Sequence, residues 1–345
     1  MLTPELLDLQ RAVARVLTDA AAKNPLPPAW SPEPPRIDRP LWATLAGLGF
    51  LGLAVPEHLG GAGAGLAEQC VLAEEVGAAL PTVPFTGTAA TTAVLAELDH
   101  PVARTVLADA VDGVRIVAPS WETLPVALVP GRRESLILDG SGVHGAVAVP
   151  FGLDADVLLA WAGGHLLLLD LTGAGVERRP TAALDVVEPM AMITLDGAAA
   201  TVLPGAVPTA AILTALAAEL IGTARRALTD AVAYAGQRRQ FGRPIGSFQS
   251  IKHLLADRHV QLDAARLLVQ DAADHPGEQA ARTAVVAAGA AADAATADAL
   301  QVHGGIGFTW EHPSHVLLKR ARARRSLLGS PARQLDALAT LVLAP

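Results

Sequence analysis

Arg238, Arg239 and Arg243 lie close together around Gln240, Phe241, Gly242 and Pro244, inside the stretch GQRRQFGRPIGSFQSIKHLLADR from Gly236 to Arg258. A guanidinium group offers a planar fork of donors that matches phosphate oxygens, and Gly and Pro force the chain to turn. The chemistry open to this set is to hold an anion at a corner. The alternative is a solvated turn in an ordinary helical hairpin. Helical patterning flanks the corner on both sides. Leu216, Leu220, Ala224, Leu228, Val232 and Ala235 recur at helical spacing before it, and Phe248, Ile251, Leu254, Leu255, Leu262 and Leu267 resume the pattern after it. A second cationic run, Lys319 to Arg325 (KRARARR), places arginines three and four apart on one helix face. It is expected to face solvent or another subunit. A phosphate contact is the competing reading, and no stacking aromatics support RNA, Tyr234 being the only tyrosine.

The bulk numbers narrow the classes. With 345 residues, 51% of them hydrophobic, the chain can bury two or three cores. Its 26 Lys and Arg against 34 Asp and Glu, a net of -8, argue against a nucleic-acid partner and leave room for a local cationic site. Cys70 is the only cysteine, so no intrachain disulfide forms, and its neighbours Leu66, Val71 and Leu72 predict a buried thiol. No Cys/His cluster has metal-ligand spacing. The N-terminus lacks a cationic start followed by an apolar core, and charged residues break every apolar run before a membrane span is complete. The expectation is a cytoplasmic protein without a membrane partner.

The elements that must position the corner follow from local signals. Thr3 and Pro4 predict the start of a first helix, with Leu6, Leu7, Leu9, Val13 and Val16 on its apolar side. Pro25 to Pro40 reads as a surface connector. Helices are predicted over 41–47, 66–78, 86–96 and 100–108, with a glycine-rich loop after Val55-Pro56-Glu57. Short strands are predicted at Val114–Val117, Val126–Val129, Leu136–Leu138, Val143–Val149, Val157–Trp161 and His165–Leu171, and one or two more within Val186–Leu195. Asp139-Gly140, Gly163-Gly164 and Asp196-Gly197 supply turns between strands, and Trp161 reads as a sheet or interface residue. Helices are then predicted over 246–273, 278–300 and 313–328, with a break at His275-Pro276-Gly277. The alanine-rich second helix invites close packing, as in a four-helix bundle. The fold class is multi-domain α+β: an N-terminal helical domain (1–110), a middle β-barrel or sandwich (111–204) and a C-terminal four-helix bundle (205–345).

Three blocks carry a family resemblance. RRQFGRPIGSFQSIKHLLAD, QVHGGIGFTWEHPSHVLLKRA (Gln301 to Ala321) and LGFLGLAVPEHLGGAGAGLAEQCVLAEEVG (Leu48 to Gly77) closely resemble segments of the acyl-CoA dehydrogenase family, at the expected places along the chain. The resemblance implies the same three-part fold, an oligomer, FAD as cofactor, an acyl-CoA substrate and an electron-transfer flavoprotein as the usual acceptor. It also implies a reaction in which a base removes the proton alpha to the thioester while hydride leaves the beta carbon for flavin N5. Carried onto this chain, Arg238 corresponds to the arginine that reaches the FAD pyrophosphate across the dimer interface, flanked by Gln240 and Phe241, with Gln249 nearby. Gln301, Gly304 and Gly305 correspond to the segment that approaches the adenosine-diphosphate half from the other subunit, where glycines admit backbone contact. A tight turn alone is the alternative role for these glycines. Glu57 is expected to be structural. The family's middle-domain Ser/Thr loop and Trp-x-Thr segment are not located here.

The family's base is missing at both of its usual places. Counting from the second signature reaches Leu328, before Gly329, and counting back from Arg238 reaches Ile212; neither can take a proton. Three readings stay open. The chain is the base-lacking member of a heteromeric enzyme, resembling short actinobacterial subunits of steroid side-chain degradation, with a homologous subunit as partner. Or it works alone with a base elsewhere, for which Glu311, Asp257 and Lys252 are candidates. Or it runs another acyl-CoA reaction, or is a scaffold without its own flavin. Small residues at several positions point to a bulky acyl group.

Overall fold

The computed structural model describes residues 3–24, 35–125, 135–327 and 329–343. Helix α1 (Pro4–Lys23) starts as its sequence predicts, the Thr3 hydroxyl accepting the Leu6 N–H and Pro4 occupying the first turn. Its buried side is Val13 and Leu17, while Leu7 is exposed, so the apolar stripe begins later than the pattern suggests. The first part of the Pro25–Pro40 connector, 25–34, lies outside the described residues. Asp38 then caps α2 (Arg39–Gly47) by accepting from Leu41 N–H. The glycine loop that follows folds onto itself, with Glu57 exposed in a short 3-10 turn (Glu57–Leu59). Helices α3 (Leu66–Ala79), α4 (Phe85–Ala96) and α5 (Pro101–Val111) complete this layer, and Glu68 secures the start of α3 by accepting the Gly65 N–H.

Among the described residues, the middle segment is two four-stranded sheets. One has the order β1 (Val117–Pro119), β4 (Val157–Ala162), β5 (His165–Asp170), β8 (Thr201–Leu203), its β1–β4 pair parallel and the others antiparallel. The other is antiparallel throughout, in the order β2 (Leu136–Asp139), β3 (Gly142–Pro150), β7 (Met190–Ala198), β6 (Val176–Thr181). The facing apolar sets of both sheets, among them Leu136, Val147, Leu158, Leu167 and Ile193, form the buried interior. Two strands have no counterpart among those predicted: β6, whose VERRPT is half-buried only at Val176, Arg178 and Thr181 and otherwise exposed at a sheet edge, and the short β8. The first strand also starts later than predicted, since Val114 is exposed and pairing begins at Val117. The expected strand at Val126–Val129 lies outside the described residues.

The C-terminal bundle packs α6 (Thr209–Gln237), α7 (Gln249–Asp274), α8 (Glu278–His303) and α9 (Ser314–Leu327) together, with α10 (Pro331–Leu343) against α8. His275-Pro276-Gly277 separates α7 from α8 as predicted, whereas α10 has no counterpart among the predicted helices. The alanines of α8 are its buried face, including Ala284, Ala288, Ala291, Ala295 and Ala299. The N-terminal layer joins the bundle where α3 crosses α6. There a Cβ on Gly77 would lie 2.0 Å from the Glu219 carbonyl oxygen, and one on Gly222 would lie 1.8 Å from that of Glu74. Glycine at both positions is what allows backbones this close. Among the described residues no helix is long and apolar enough to cross a membrane.

Candidate functional site

Helix α6 ends because Arg238 leaves helical geometry (φ -68°, ψ 124°), its N–H donating to the Tyr234 carbonyl at 2.8 Å. The next residues fold into a minimal hairpin. Gln240 pairs with Arg243 and Arg239 with Pro244, leaving Phe241 and Gly242 as a two-residue turn with φ of 53° and 77°. Two consecutive positive φ values are the type I′ signature, easy for Gly242 and strained for a phenylalanine. Phe241 is nonetheless 91% exposed; it meets the Phe248 ring edge-on at 6.1 Å, and the Arg243 guanidinium covers that ring at 4.0 Å. A strained, exposed aromatic on a tight turn is a residue presented outward. Arg238 and Gln240 are exposed beside it, as is Gln249 in the first turn of α7.

The second segment stands at the end of α8. Gln301 is exposed on the last turn, and Gly304 (φ 62°, ψ -138°) stops the helix. A Cβ on Gly304 or Gly305 would meet nothing within 4 Å, so the backbone here is open to an approaching group. Gly307 is different: it packs against His303 and Leu300, which shapes the turn. The two segments share one end of the bundle, because Tyr234, one turn before Arg238, stacks on His303 at 4.7 Å. Six of the seven residues expected at a flavin diphosphate thus lie on two turns joined by that contact, and Gln249 opens α7. Arg238 has no acidic partner among the described residues. An exposed guanidinium and a bare glycine backbone at the same end of the bundle are donors of the kind a diphosphate needs.

The candidate bases are placed less favourably. Ile212, in the first turn of α6, is 2% exposed and apolar, and Leu328 lies outside the described residues. Glu311, Asp257 and Lys252 are all exposed on the surface, where water competes for any proton transfer. Trp161 sits in β4, half-buried, its backbone N–H donating to the Thr123 hydroxyl at 3.1 Å, so it is a sheet residue.

Two buried charge clusters have no counterpart among the sequence expectations. The KRARARR run does not turn wholly outward: Arg322 is exposed, but Arg320 and Arg324 are buried. Arg324 grips Glu188 through two bonds of 2.5 and 2.8 Å and reaches Glu219 at 2.7 Å; Arg320 reaches Glu219 at 2.9 Å and also pairs with Asp185. The Thr86 hydroxyl donates to the other Glu219 oxygen at 2.5 Å. One cluster therefore ties α4, the β7 approach, α6 and α9 together. Against the upward push of burial, Arg324 and Arg320 hold Glu219 below the ordinary carboxylate range, whereas burial raises Glu188 despite the same arginines. The second cluster joins α1, α3, α6 and α7: Arg225 bridges Glu74 (3.0 Å) and Glu75 (2.7 Å), Arg266 reaches Glu74 at 3.2 Å, and Gln10 donates to Glu75 at 2.7 Å. Burial raises Glu74 above its ordinary value. The signal for both was an acid at helical spacing inside an apolar stripe, Glu74 and Glu219 among alanines and leucines.

Comparison with known proteins agrees with this architecture. Residues 3–100 match the acyl-CoA dehydrogenase N-terminal domain model and 214–343 the C-terminal domain model. The chain is 38% identical to acyl-CoA dehydrogenase IpdE2 of Mycobacterium tuberculosis, over 87% of this chain and 86% of that protein. It is also 38% identical to acyl-CoA dehydrogenase FadE34 of the same organism, over 89% of this chain but only 42% of FadE34's length. Among solved structures, a variant of the Tcur3481-Tcur3483 steroid ACAD superposes with a TM-score of 0.87 at 32% identity, covering 98% of this chain and 97% of that one. The ChsE4-ChsE5 complex from Mycobacterium tuberculosis does so at 0.87 and 26%, covering 100% and 99%. The matched models, the extent of identity over nearly all of both chains and the shared three-layer build lead to one conclusion: this chain belongs to the acyl-CoA dehydrogenase family.

Proposed function

We propose that this chain is the base-lacking subunit of a heteromeric, FAD-dependent acyl-CoA dehydrogenase that acts in the cytoplasm, partnered by a homologous subunit that carries the catalytic carboxylate. The observation that carries this reading is the state of the acids. Among the described residues the buried carboxylates, Glu74, Glu75, Asp185, Glu188 and Glu219, are each engaged by arginine. Ile212, at one of the two expected base positions, is apolar. A general base must be free to approach the proton it removes, and an arginine-locked carboxylate is not.

Arg238, Gln240, Phe241, Gln249, Gln301, Gly304 and Gly305 would hold the diphosphate and adenosine half of FAD, and bound FAD would supply the hydride acceptor. Because these groups lie at or near the surface, a flavin held by them would reach toward a neighbouring subunit. The names of the similar proteins, a steroid ACAD and the two-component ChsE4-ChsE5 complex, support a bulky acyl-CoA substrate and a heteromer. An electron-transfer flavoprotein is the proposed acceptor.

The test is purification of the chain alone and together with a co-expressed homologous subunit carrying the Glu. Expected are flavin bands and acyl-CoA-driven flavin bleaching in the pair, lost when the partner's Glu becomes Gln, and no bleaching by this chain alone. Bleaching of FAD by acyl-CoA on this chain alone would overturn the proposal.

A further inference from the structure

We infer that Tyr234, His303, His312 and Ser314 form a latch that sets the spacing between the two flavin-facing turns, and that they are positioning residues for the diphosphate–adenosine half of the cofactor. The inference rests on the FAD reading above. His303 is buried at the end of α8, and its Nδ1–H donates to the Ala299 carbonyl at 2.7 Å. The Ser314 hydroxyl lies 3.2 Å from the same nitrogen and 2.7 Å from Nδ1 of His312, which also accepts the Ser314 N–H at 3.2 Å. These partners settle the hydrogen positions: His303 carries its proton on Nδ1, and His312 accepts on Nδ1.

The rings stack in series, Tyr234 on His303 at 4.7 Å and His303 on His312 at 4.1 Å. The loop from Gly304 to Pro313 is therefore pinned at both ends, His303 before it and His312–Ser314 closing it. Tyr234 carries the constraint to the other turn, since its carbonyl receives the Arg238 N–H at 2.8 Å. Gly304 and Gly305 have no side chains to pack and open space where a Cβ would stand, so their placement relative to Arg238 depends on this stack. A group that must meet a guanidinium and a bare backbone segment at once binds well only when their separation is fixed beforehand.

The experiment compares wild type, Ser314→Ala, Tyr234→Ala and Tyr234→Phe in the full chain, alone and paired with its homologous subunit. Affinities for FAD, for ADP as competitor and for FMN are measured by flavin fluorescence, alongside thermal unfolding of the flavin-free protein. Ser314→Ala and Tyr234→Ala are expected to weaken FAD and ADP about tenfold, near 1.4 kcal/mol, with FMN affinity unchanged. Tyr234→Phe, which keeps the stack, should match wild type. If Ser314→Ala fails to fold, His312→Gln at the half-buried end of the relay replaces it. Unchanged FAD affinity in the variants, or an equal loss for FMN, overturns the latch. A wild-type pair that binds no FAD overturns the proposed function and the latch with it.

Discussion

Replacing Arg324 with methionine would leave three carboxylates, Asp185, Glu188 and Glu219, sharing the single guanidinium of Arg320 in a site closed to water. With every group ionised the wild-type cluster already carries one excess negative charge, two arginines against three acids. Losing a partner from a buried pair costs about 3–5 kcal/mol, and here the change also deepens the imbalance. Glu219→Gln works in the other direction. It removes one acid, leaves each arginine its second carboxylate and brings the cluster to neutrality, so its cost should be nearer ~1–2 kcal/mol. Unfolding entropy of about 2.1 cal/mol/K per residue, over 345 residues, gives roughly 0.7 kcal/mol/K; the Arg324→Met loss is then about 4–7 °C in Tm if the chain unfolds as one unit.

The pH dependence follows from the two opposite shifts in that cluster. Glu219 sits below its ordinary value, so its contribution is present above the unfolded value and is lost as pH falls through the folded one. Glu188 sits above its ordinary value, so its ionised form is costly at neutral pH and protonation relieves it. In Arg324→Met the relief grows, and the deficit should shrink as pH falls from about 8 toward about 5. Thermal and urea unfolding of the two variants across that range is the assay. A Glu219→Gln cost equal to or larger than that of Arg324→Met, or a deficit independent of pH, would refute the charge-balance reasoning.

Gly222→Ala drives a methyl group into the Glu74 carbonyl across the α3–α6 crossing, so it should cost at or above the top of the ~1–3 kcal/mol range for overpacking. A urea midpoint close to wild type would mean the helices do not approach as described. Ile212→Glu restores a carboxylate at the expected base position; the FAD-loaded variant should gain acyl-CoA-dependent flavin bleaching while losing thermal stability. Absence of any gain in a folded, FAD-loaded variant would remove Ile212 from that assignment. Burial, with Glu74 and Asp274 nearby, pushes the Cys70 thiol far above its ordinary value. A disulfide reagent at mildly alkaline pH should therefore label native protein slowly and one thiol per chain after denaturation. Rapid native labelling would contradict the buried placement.

Much of the fold is legible in local chemistry alone. Thr3 with Pro4 begins α1, His275-Pro276-Gly277 divides α7 from α8, and the alanine stripe of α8 announces its packing face, because caps, breakers and periodicity act within a few residues. Motif wording points to the family, and counting along it shows that Ile212 and Leu328 are not acids. The polar edge strand β6 stays hidden because hydrogen bonding to β7, not its own pattern, makes it a strand. Arg320 and Arg324 carry the plainest surface signature in the chain, yet they are interior. Their partner Glu219 lies about a hundred residues away in sequence, and Glu188 and Asp185 belong to the approach to another layer. No local rule can report that a charge will meet its counter-charge across three layers. The same holds for Gly77 and Gly222, whose need for small size exists only where α3 crosses α6, and for Tyr234 and His303, which meet only when two helix ends arrive at one place. Local sequence determined most of the elements and the family they serve; long-range packing decided the edge strand β6 and which charges are buried, since pairing and burial are properties of the assembled layers and not of any segment.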